Sequence, residues 1–437
     1  MSLFLRGDAG VYKQRRALVV EVGVREKLRQ RIVEDMDLTM TLDDGEIGAI
    51  IDRCILEETK GEYFPVKEKI RLRTELFNTF RRLDVLTEFL EDEQVSEIMV
   101  NGTGPIFVEK NGRIVKTDKN IPDEDKLHSL IQQIVADCNR RINEASPIVD
   151  ARLKDGSRVS IVISPVSLSG TTITIRRFPK NRIGVEELIG LGSIDKNISK
   201  ILQALVQAKY NIFISGGTGS GKTTFLNALS SFIPSDERII TIEDSAELNL
   251  MHVENLVRLE ARNANVEGEN SVSIRDLIKA SLRMRPDRII VGEVRDDAAI
   301  DMLQAMNTGH DGSLSTGHSN SPKDMISRLE TMVLTGVDIP LQAVRLQISQ
   351  AVDIIIHLGR LRDKSRKVLN ISEVLGVENG QVVLNTLYEF VETGDVGGKL
   401  EGGLRKVNEL VNVEKLMRWN MRDIYDEGDR GVLRIQA

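Results

Sequence analysis

Apolar residues recur at helical spacing through residues 1 to about 90. Leu28, Ile32 and Val33, with Val24 ahead of them, predict a helix over 24–36. Ile47, Ile50, Ile51, Ile55 and Leu56 predict a second, and Leu72, Leu76, Phe80 and Leu83 a third within 70–90. The basic residues Lys67, Lys69, Arg71 and Arg73 form either a solvated face or a surface for an acidic partner. From about 91 short apolar runs take over: Ile98–Val100, Ile106–Val108 and Ile114–Val115, separated by Asn101-Gly102 and Asn111-Gly112. These read as strands joined by turns. A helix follows over about 123–139. Further strand signals lie at Arg152-Leu153, Arg158–Ser164 and Thr171–Arg177, with a turn at Asp155-Gly156. Residues 178–181 read as a linker.

Beyond 185 the pattern alternates between strand and helix. A helix over 194–208 leads into the buried run Asn211–Ser215, and Thr224–Phe232 carries Phe225, Leu229 and Phe232 on one helical face until Pro234 ends it. Strand 238–242 ends at Glu243-Asp244. Ser273 and Asp276 form a capping box for a helix ending near Met284. Strand 288–294 follows, then a helix opened by Asp296 and closed by Gly309, a short strand at 313–316, and a helix capped by Ser321 with Pro322 at its first position. Alternation of this kind predicts a mostly parallel sheet. Residues 353–358, 368–377 and 382–390 read as antiparallel strands. A glycine-rich loop over 392–403 and a final helical segment complete the chain. There is no internal repeat.

Composition narrows the class. The 437 residues are 41% hydrophobic but only 4% aromatic, so aliphatic cores are expected in two or three domains. We read 1–90 as a helical region, 91–180 as a small α/β domain and 181–437 as the main domain with a helical tail. The net charge of −7 speaks against a protein built to grip nucleic acid. Cys54 and Cys138 have no paired spacing, which predicts neither a disulfide scaffold nor a zinc site. No signal peptide is legible, and no apolar run reaches the roughly 18 residues of a spanning helix. A protein of the cell interior, able to dock on a membrane complex, is expected.

Candidate chemistry begins at Gly216-Gly217-Thr218-Gly219-Ser220-Gly221-Lys222-Thr223, which fits the phosphate-loop pattern between a strand and a helix. Glycines let backbone N–H groups turn inward as an anion nest, and the helix N-terminus adds unpaired donors. Lys222 can reach the outer phosphates of ATP, and the Thr223 hydroxyl can ligate Mg²⁺. The apolar strand Arg288–Val291 leads to Glu293. At a strand's carboxyl end that carboxylate can orient an attacking water or hold Mg²⁺ directly or through water. Glu243-Asp244 ends the neighbouring strand in the same way, for water activation and indirect metal ligation, or, in Asp244, for structural hydrogen bonding. His310 and His318 flank a small-residue strand, which suits sensing of a γ-phosphate or of a neighbouring subunit. Arg158, Arg176, Arg177, Arg283, Arg285 and Arg295 are candidates for the positive charge that phosphoryl transfer uses.

Four ordered segments carry a family resemblance: 216–224, Ile242–Leu248, Arg285–Arg295 and Thr308–Pro322. With 146–159 and 173–178 they resemble the type II/type IV secretion ATPase superfamily over about residues 90–390. The tight-adherence pilus branch (CpaF/TadA-type) is the most similar in pattern, and the tetracysteine zinc insertion of type II relatives is absent. The resemblance implies an α/β fold: a RecA-like phosphate-loop NTPase domain preceded by a small α/β domain and an N-terminal helical segment. It implies ATP and Mg²⁺ as ligands, a homo-hexameric ring, and an inner-membrane platform protein as partner of a peripheral cytoplasmic motor. Lys222, Thr223 and Thr224 would hold phosphates and Mg²⁺, and Glu293 and Glu243 would be the strand carboxylates. His318 would be the histidine-box residue, and Arg158 and Arg176 the first-domain arginines reaching the nucleotide.

Two other readings share this core. A nucleic-acid translocase would show DNA-stimulated hydrolysis with steep salt dependence, although sparse aromatics argue against a base-stacking channel. A nucleotide-switched scaffold would bind without turnover, although Lys222, Glu243 and Glu293 together argue for hydrolysis. No Asn-Lys-x-Asp occurs, which excludes an ordinary GTPase.

Overall fold

The structure, a computed structural model, describes residues 27–36, 42–60, 65–110, 112–138, 140–177, 183–262 and 271–434. The expected linker at 178–181, Asn111, and the Val24 end of the first helix lie outside the described residues. The chain divides into two units, Met1–Lys180 and Asn181–Ala437.

In the first unit, helices α1 (27–35), α2 (Asp44–Glu58) and α3 (Val66–Arg81) pack on one another through Leu28, Ile32, Ile51, Cys54 and Leu76, all essentially buried. Asp43 starts α2 with a full capping box to Glu46. After α4 (Val85–Glu91) come β1 (Val95–Asn101), β2 (Pro105–Lys110), β3 (Arg113–Asn120), α5 (Glu124–Asp137), β4 (Ile148–Arg152), β5 (Arg158–Val162) and β6 (Thr172–Arg176). The strands form one antiparallel sheet in the order β3-β2-β1-β6-β5-β4. Alternate residues face α5: Ile98, Val108, Ile161 and Ile175 meet Leu127, Ile131 and Ile134 in a dry aliphatic core.

The second unit holds α6 (Val185–Gly190), α7 (Lys196–Gln207), β7 (Ile212–Gly216), α8 (Lys222–Ser230), β8 (Arg238–Glu243), β9 (Asn255–Glu260), α9 (Ile274–Ser281), β10 (Arg288–Val291), α10 (Ala298–Asn307), β11 (Leu314–His318), α11 (Pro322–Gly336), α12 (Leu341–Ala351), β12 (Ile354–Arg360), β13 (Arg366–Glu378), β14 (Gln381–Val396), β15 (Lys399–Lys406), α13 (Glu414–Arg418) and α14 (Arg422–Gly431). Nine strands form one sheet in the order β15-β14-β13-β12-β7-β11-β10-β8-β9. Strands β12 to β9 in that order are parallel, and β13, β14 and β15 extend the sheet as antiparallel neighbours. Two apolar cores, one led by Ile201, Leu205, Ile214 and Leu226 and the other by Ile240, Ile289, Leu303 and Met325, lie against it. Layers on both sides leave every residue of β7 and β10 buried, which explains the apolar runs Ile212–Ile214 and Ile289–Val291.

The phosphate-loop strand β7 is central, and β11 intervenes between it and the carboxylate strand β10. This is an α/β fold with a RecA-like core. Two expectations are corrected. Residues 354–360 are not purely antiparallel: β12 pairs parallel with β7 on one side and antiparallel with β13 on the other. The segment 392–403 is not a loop but the end of the β14–β15 hairpin. Gly397 and Gly398 both have left-handed φ, +61° and +78°, which a two-residue reversal between twisted strands demands. The sequence reading also passed over β9, α6 and α12.

Candidate nucleotide-binding site

Each predicted phosphate-loop residue lies in the turn from β7 to α8. Gly216 is where the chain leaves the sheet. A Cβ there would lie 2.5 Å from the Leu358 carbonyl oxygen and 2.6 Å from Ser220 Oγ, so only glycine lets β12 approach this closely. Ser220, buried, donates its hydroxyl to Gly217 O at 2.9 Å and closes the loop on itself. Gly221 is the N-cap of α8, and Lys222, Thr223 and Thr224 form its first turn, the end that carries the partial positive charge. Thr218 and Gly219 occupy the exposed crest.

The carboxyl ends of four neighbouring strands converge on this loop. Lys222 Nζ donates to Gly217 O at 3.1 Å and to His318 Nδ1 at 3.2 Å. Ammonium is a donor only, so His318 Nδ1 must accept and its proton belongs on Nε2. Nε2 lies 3.1 Å from Glu293 Oε1 but out of line for a hydrogen bond, and that buried oxygen has no hydrogen-bond partner. Glu293 Oε2 accepts from Arg295 Nη2 at 2.8 Å, and Arg295 Nη1 stands 3.4 Å from Asp244. Lys222, His318, Glu293, Arg295 and Asp244 thus follow one another across the ends of β7, β11, β10 and β8.

Burial and charge tune this chain. Burial lowers the Lys222 ammonium, opposed by the Glu293 carboxylate. Burial and the adjacent Lys222 also lower His318, which is therefore neutral at pH 7. For Glu293 burial acts upward, but the Arg295 hydrogen bond and the charges of Arg295 and Lys222 outweigh it, and the carboxyl is lowered. Glu293 is a carboxylate with one oxygen on Arg295 and the other buried beside His318 without a hydrogen bond.

Glu243 is placed differently. It is 3% exposed, and its Oε2 accepts the backbone N–H groups of Glu247 at 2.7 Å and Leu248 at 2.8 Å. Burial pushes its carboxyl up against those bonds. Here it braces the turn after β8, with only Oε1 left without a partner. His310 does not join the site: its Nδ1 meets Ala305 O at the end of α10. Arg283 and Arg285 lie before β10, at the end of that strand opposite Glu293.

The Type II/IV secretion system protein family matches residues 81–429. The chain belongs to that family. It is 34% identical to the "Putative conjugal transfer protein Rv3659c" of Mycobacterium tuberculosis over 70% of this chain and 87% of that one. It is 33% identical to the "Type IV secretion system protein PtlH" of Bordetella pertussis over 64% and 89%. Among solved structures, the VirB11 ATPase of the Brucella suis type IV secretion system is 29% identical, over 65% of this chain and 91% of that one, with a TM-score of 0.36. That superposition is loose, and the fold assignment rests on the strand order above.

In this secretion-family chain the two first-unit arginines are cross-strand neighbours. Arg158 on β5 pairs with Arg176 on β6, Arg152 on β4 pairs with Arg158, and Glu97 on β1 pairs with Arg176. Alternation places them on the sheet face away from α5. Three like charges side by side repel one another, and Glu97 stands 3.9 Å from Arg176. Arg177 points elsewhere: it donates to the carbonyls of Asp92 and Val95. Sequence reading missed Arg366, whose Nε donates to Gly219 O at 2.8 Å from the start of β13. Nothing local in the sequence could have joined it to a loop so distant along the chain.

Among the described residues no cluster of three His, Cys, Asp or Glu could hold a metal ion alone. Mg²⁺ uses one or two protein ligands and completes its shell with water and phosphate oxygens, and a hydroxyl such as that of Thr223 in the first turn of α8 and a carboxylate such as that of Glu293 suit it in chemistry. Among the described residues no helix is long and apolar enough to cross a membrane.

Proposed function

We propose that the chain is a Mg²⁺-dependent ATPase that works as a homo-hexameric motor of pilus assembly, of the tight-adherence type, or of protein secretion. It would act at the cytoplasmic face of the membrane on an inner-membrane platform protein. The observation that carries this reading is the Lys222–His318–Glu293–Arg295 chain beside the phosphate loop. Lys222, held by Gly217 O and His318, is ready to exchange those partners for phosphate oxygens. Neutral His318 links that exchange to Glu293. Glu293 orients the attacking water and accepts its proton. Mg²⁺, held by Thr223 and through water by Glu293, would supply charge neutralisation at the phosphates. Arg295, and Arg158 and Arg176 of the first unit, would add positive charge to the transition state. The residue ranges 1–90, 91–180 and 181–437 would be a helical region, a small α/β domain and the RecA-like ATPase domain with its antiparallel strands and helical tail.

The same motor in a conjugal or type IV secretion apparatus is the second reading, favoured by the names of the relatives. Phosphate release from Mg²⁺-ATP by the purified chain, with Lys222→Ala as control, tests the activity. A wild-type chain that neither binds nor turns over ATP refutes it. DNA-stimulated, salt-sensitive turnover would shift the reading to a translocase, and ATP binding without Glu293-dependent turnover to a scaffold. Particle mass with bound nucleotide tests the hexamer, and copurification from the native cell identifies the platform.

A further inference from the structure

The phosphate loop is braced from outside by the turn between β12 and β13. Leu361 N–H donates to Ser365 O at 2.8 Å, and Lys364 N–H to Leu361 O at 2.9 Å. Asp363 locks this reversal. Its Oδ1 accepts the Ser365 N–H at 2.9 Å and hydroxyl at 2.6 Å, and its Oδ2 accepts the Leu400 N–H at 2.9 Å. These bonds, the Ser365 hydroxyl foremost, hold the Asp363 carboxyl down at about 2, so the turn keeps its lock at any ordinary pH. Arg366 comes next. Its carbonyl accepts the Ser193 hydroxyl at 2.7 Å, while Lys367 Nζ is tied to Gly192 O at 2.9 Å. With the backbone anchored in this way, the Arg366 side chain crosses to the phosphate loop. Nε meets Gly219 O at 2.8 Å, and Cδ stands 3.4 Å from where a Cβ on Gly221 would be.

An anion nest is made of N–H groups turned inward. The loop's carbonyls must then turn outward, and each needs a donor or water. Gly217 O has the Ser220 hydroxyl and, in this structure, Lys222. When Lys222 turns to a phosphate, the Ser220 hydroxyl stays on Gly217 O and the Arg366 bond stays on Gly219 O.

We infer that Arg366 is a positioning residue of the phosphate loop: its Nε–H holds the Gly219 carbonyl outward and so keeps the loop's N–H groups aimed at the triphosphate. This rests on the nucleotide-binding reading above. The residue acts through the loop and does not touch the reacting atoms.

Three substitutions separate this role from a direct charge contact. Arg366→Gln places an amide nitrogen as many bonds from the backbone as Nε and keeps a donor without charge. Arg366→Lys keeps the charge but puts a methylene there. Arg366→Met keeps bulk and lacks both. Binding of a fluorescent ATP analogue with Mg²⁺ to the full chain is titrated at equilibrium, alongside the KM and kcat of ATP turnover. Met and Lys should weaken binding about fivefold, as expected for one loop hydrogen bond, with KM rising in step and kcat within about twofold. Gln should recover most of that affinity.

Recovery by Lys but not Gln would overturn the inference in favour of a guanidinium that contacts the nucleotide itself. Wild-type affinity in the Met variant would also overturn it. Because Arg366 is exposed, the variants should fold, and coincident circular-dichroism melts check this. If the Met variant melts early, the Gln–Lys comparison still decides. Failure of the nucleotide reading looks different: wild type would not bind the analogue, or Lys222→Ala would bind it equally well.

Discussion

Glu293→Gln separates binding from chemistry more cleanly than any other change at this site. The amide keeps the shape of the side chain and leaves an oxygen or nitrogen beside His318 and Arg295. What it removes is the negative charge. The stability term is small, because the Arg295 side chain is 57% exposed and solvent screens the pair. About 0.2–1 kcal/mol is expected, a fall in Tm of no more than about 4 °C. The effect on binding should be neutral or favourable, since a carboxylate that faces Lys222 also repels phosphate oxygens. The effect on chemistry should be large. A positioned base typically contributes 10²–10⁴-fold, so kcat should fall by about 10²–10⁴. The assay is continuous phosphate release at saturating Mg²⁺-ATP, paired with an equilibrium titration of the same preparation. Turnover within tenfold of wild type would refute the role assigned to Glu293. Loss of binding together with turnover would mean that the residue holds the nucleotide instead.

Two further outcomes follow from buried charge. Arg288 is fully buried and forks onto Glu237 at 2.6 and 3.0 Å while Nη1 donates to Val206 O at 2.7 Å. Arg288→Met leaves that carboxylate only Lys209, 3.7 Å away, and should cost about 3–5 kcal/mol, or roughly 6–20 °C in Tm by calorimetry; a loss below about 2 °C would refute it. His357, buried, shares a 2.9 Å hydrogen bond with Ser215 Oγ, and burial lowers it below the ordinary 6.5. The unfolded chain therefore binds the proton more readily, so stability is complete above about 6.5 and is lost as pH falls toward the lowered value. Tm of wild type should drop more between pH 7.5 and 5.5 than that of His357→Asn; equal slopes would refute the assignment.

Local features were legible and long-range ones were not. The turn from β7 to α8 needs only an apolar pentad, glycines and a lysine in sequence. The starts of α9 and α11 are written in the caps Ser273 and Ser321, each of which accepts a backbone N–H three residues on. By contrast β9 is a half-exposed edge strand whose charged residues mask its period. Over 392–403, the end of the β14–β15 hairpin, glycine content masks the strand pattern. Yet Gly402 lies where a Cβ would meet Val391 O at 2.5 Å, so this glycine serves close strand approach rather than flexibility. Glu243 is legible as a strand-end carboxylate, but the two N–H groups that its Oε2 accepts come from a turn whose path the sequence does not specify. Arg366 and Gly219 are 147 residues apart, and no periodicity links them.

Trp419, the chain's single tryptophan, lies in the second unit with Lys209 Nζ 4.9 Å above its ring. Lys209 closes the turn between α7 and β7, and its carbonyl accepts from Lys415, which also binds Asp311 and Asp353. The indole therefore lies under a cation at the root of the phosphate-loop strand. Its emission is a built-in optical label for that unit alone: red-edge excitation is blind to the first unit, which contains no tryptophan.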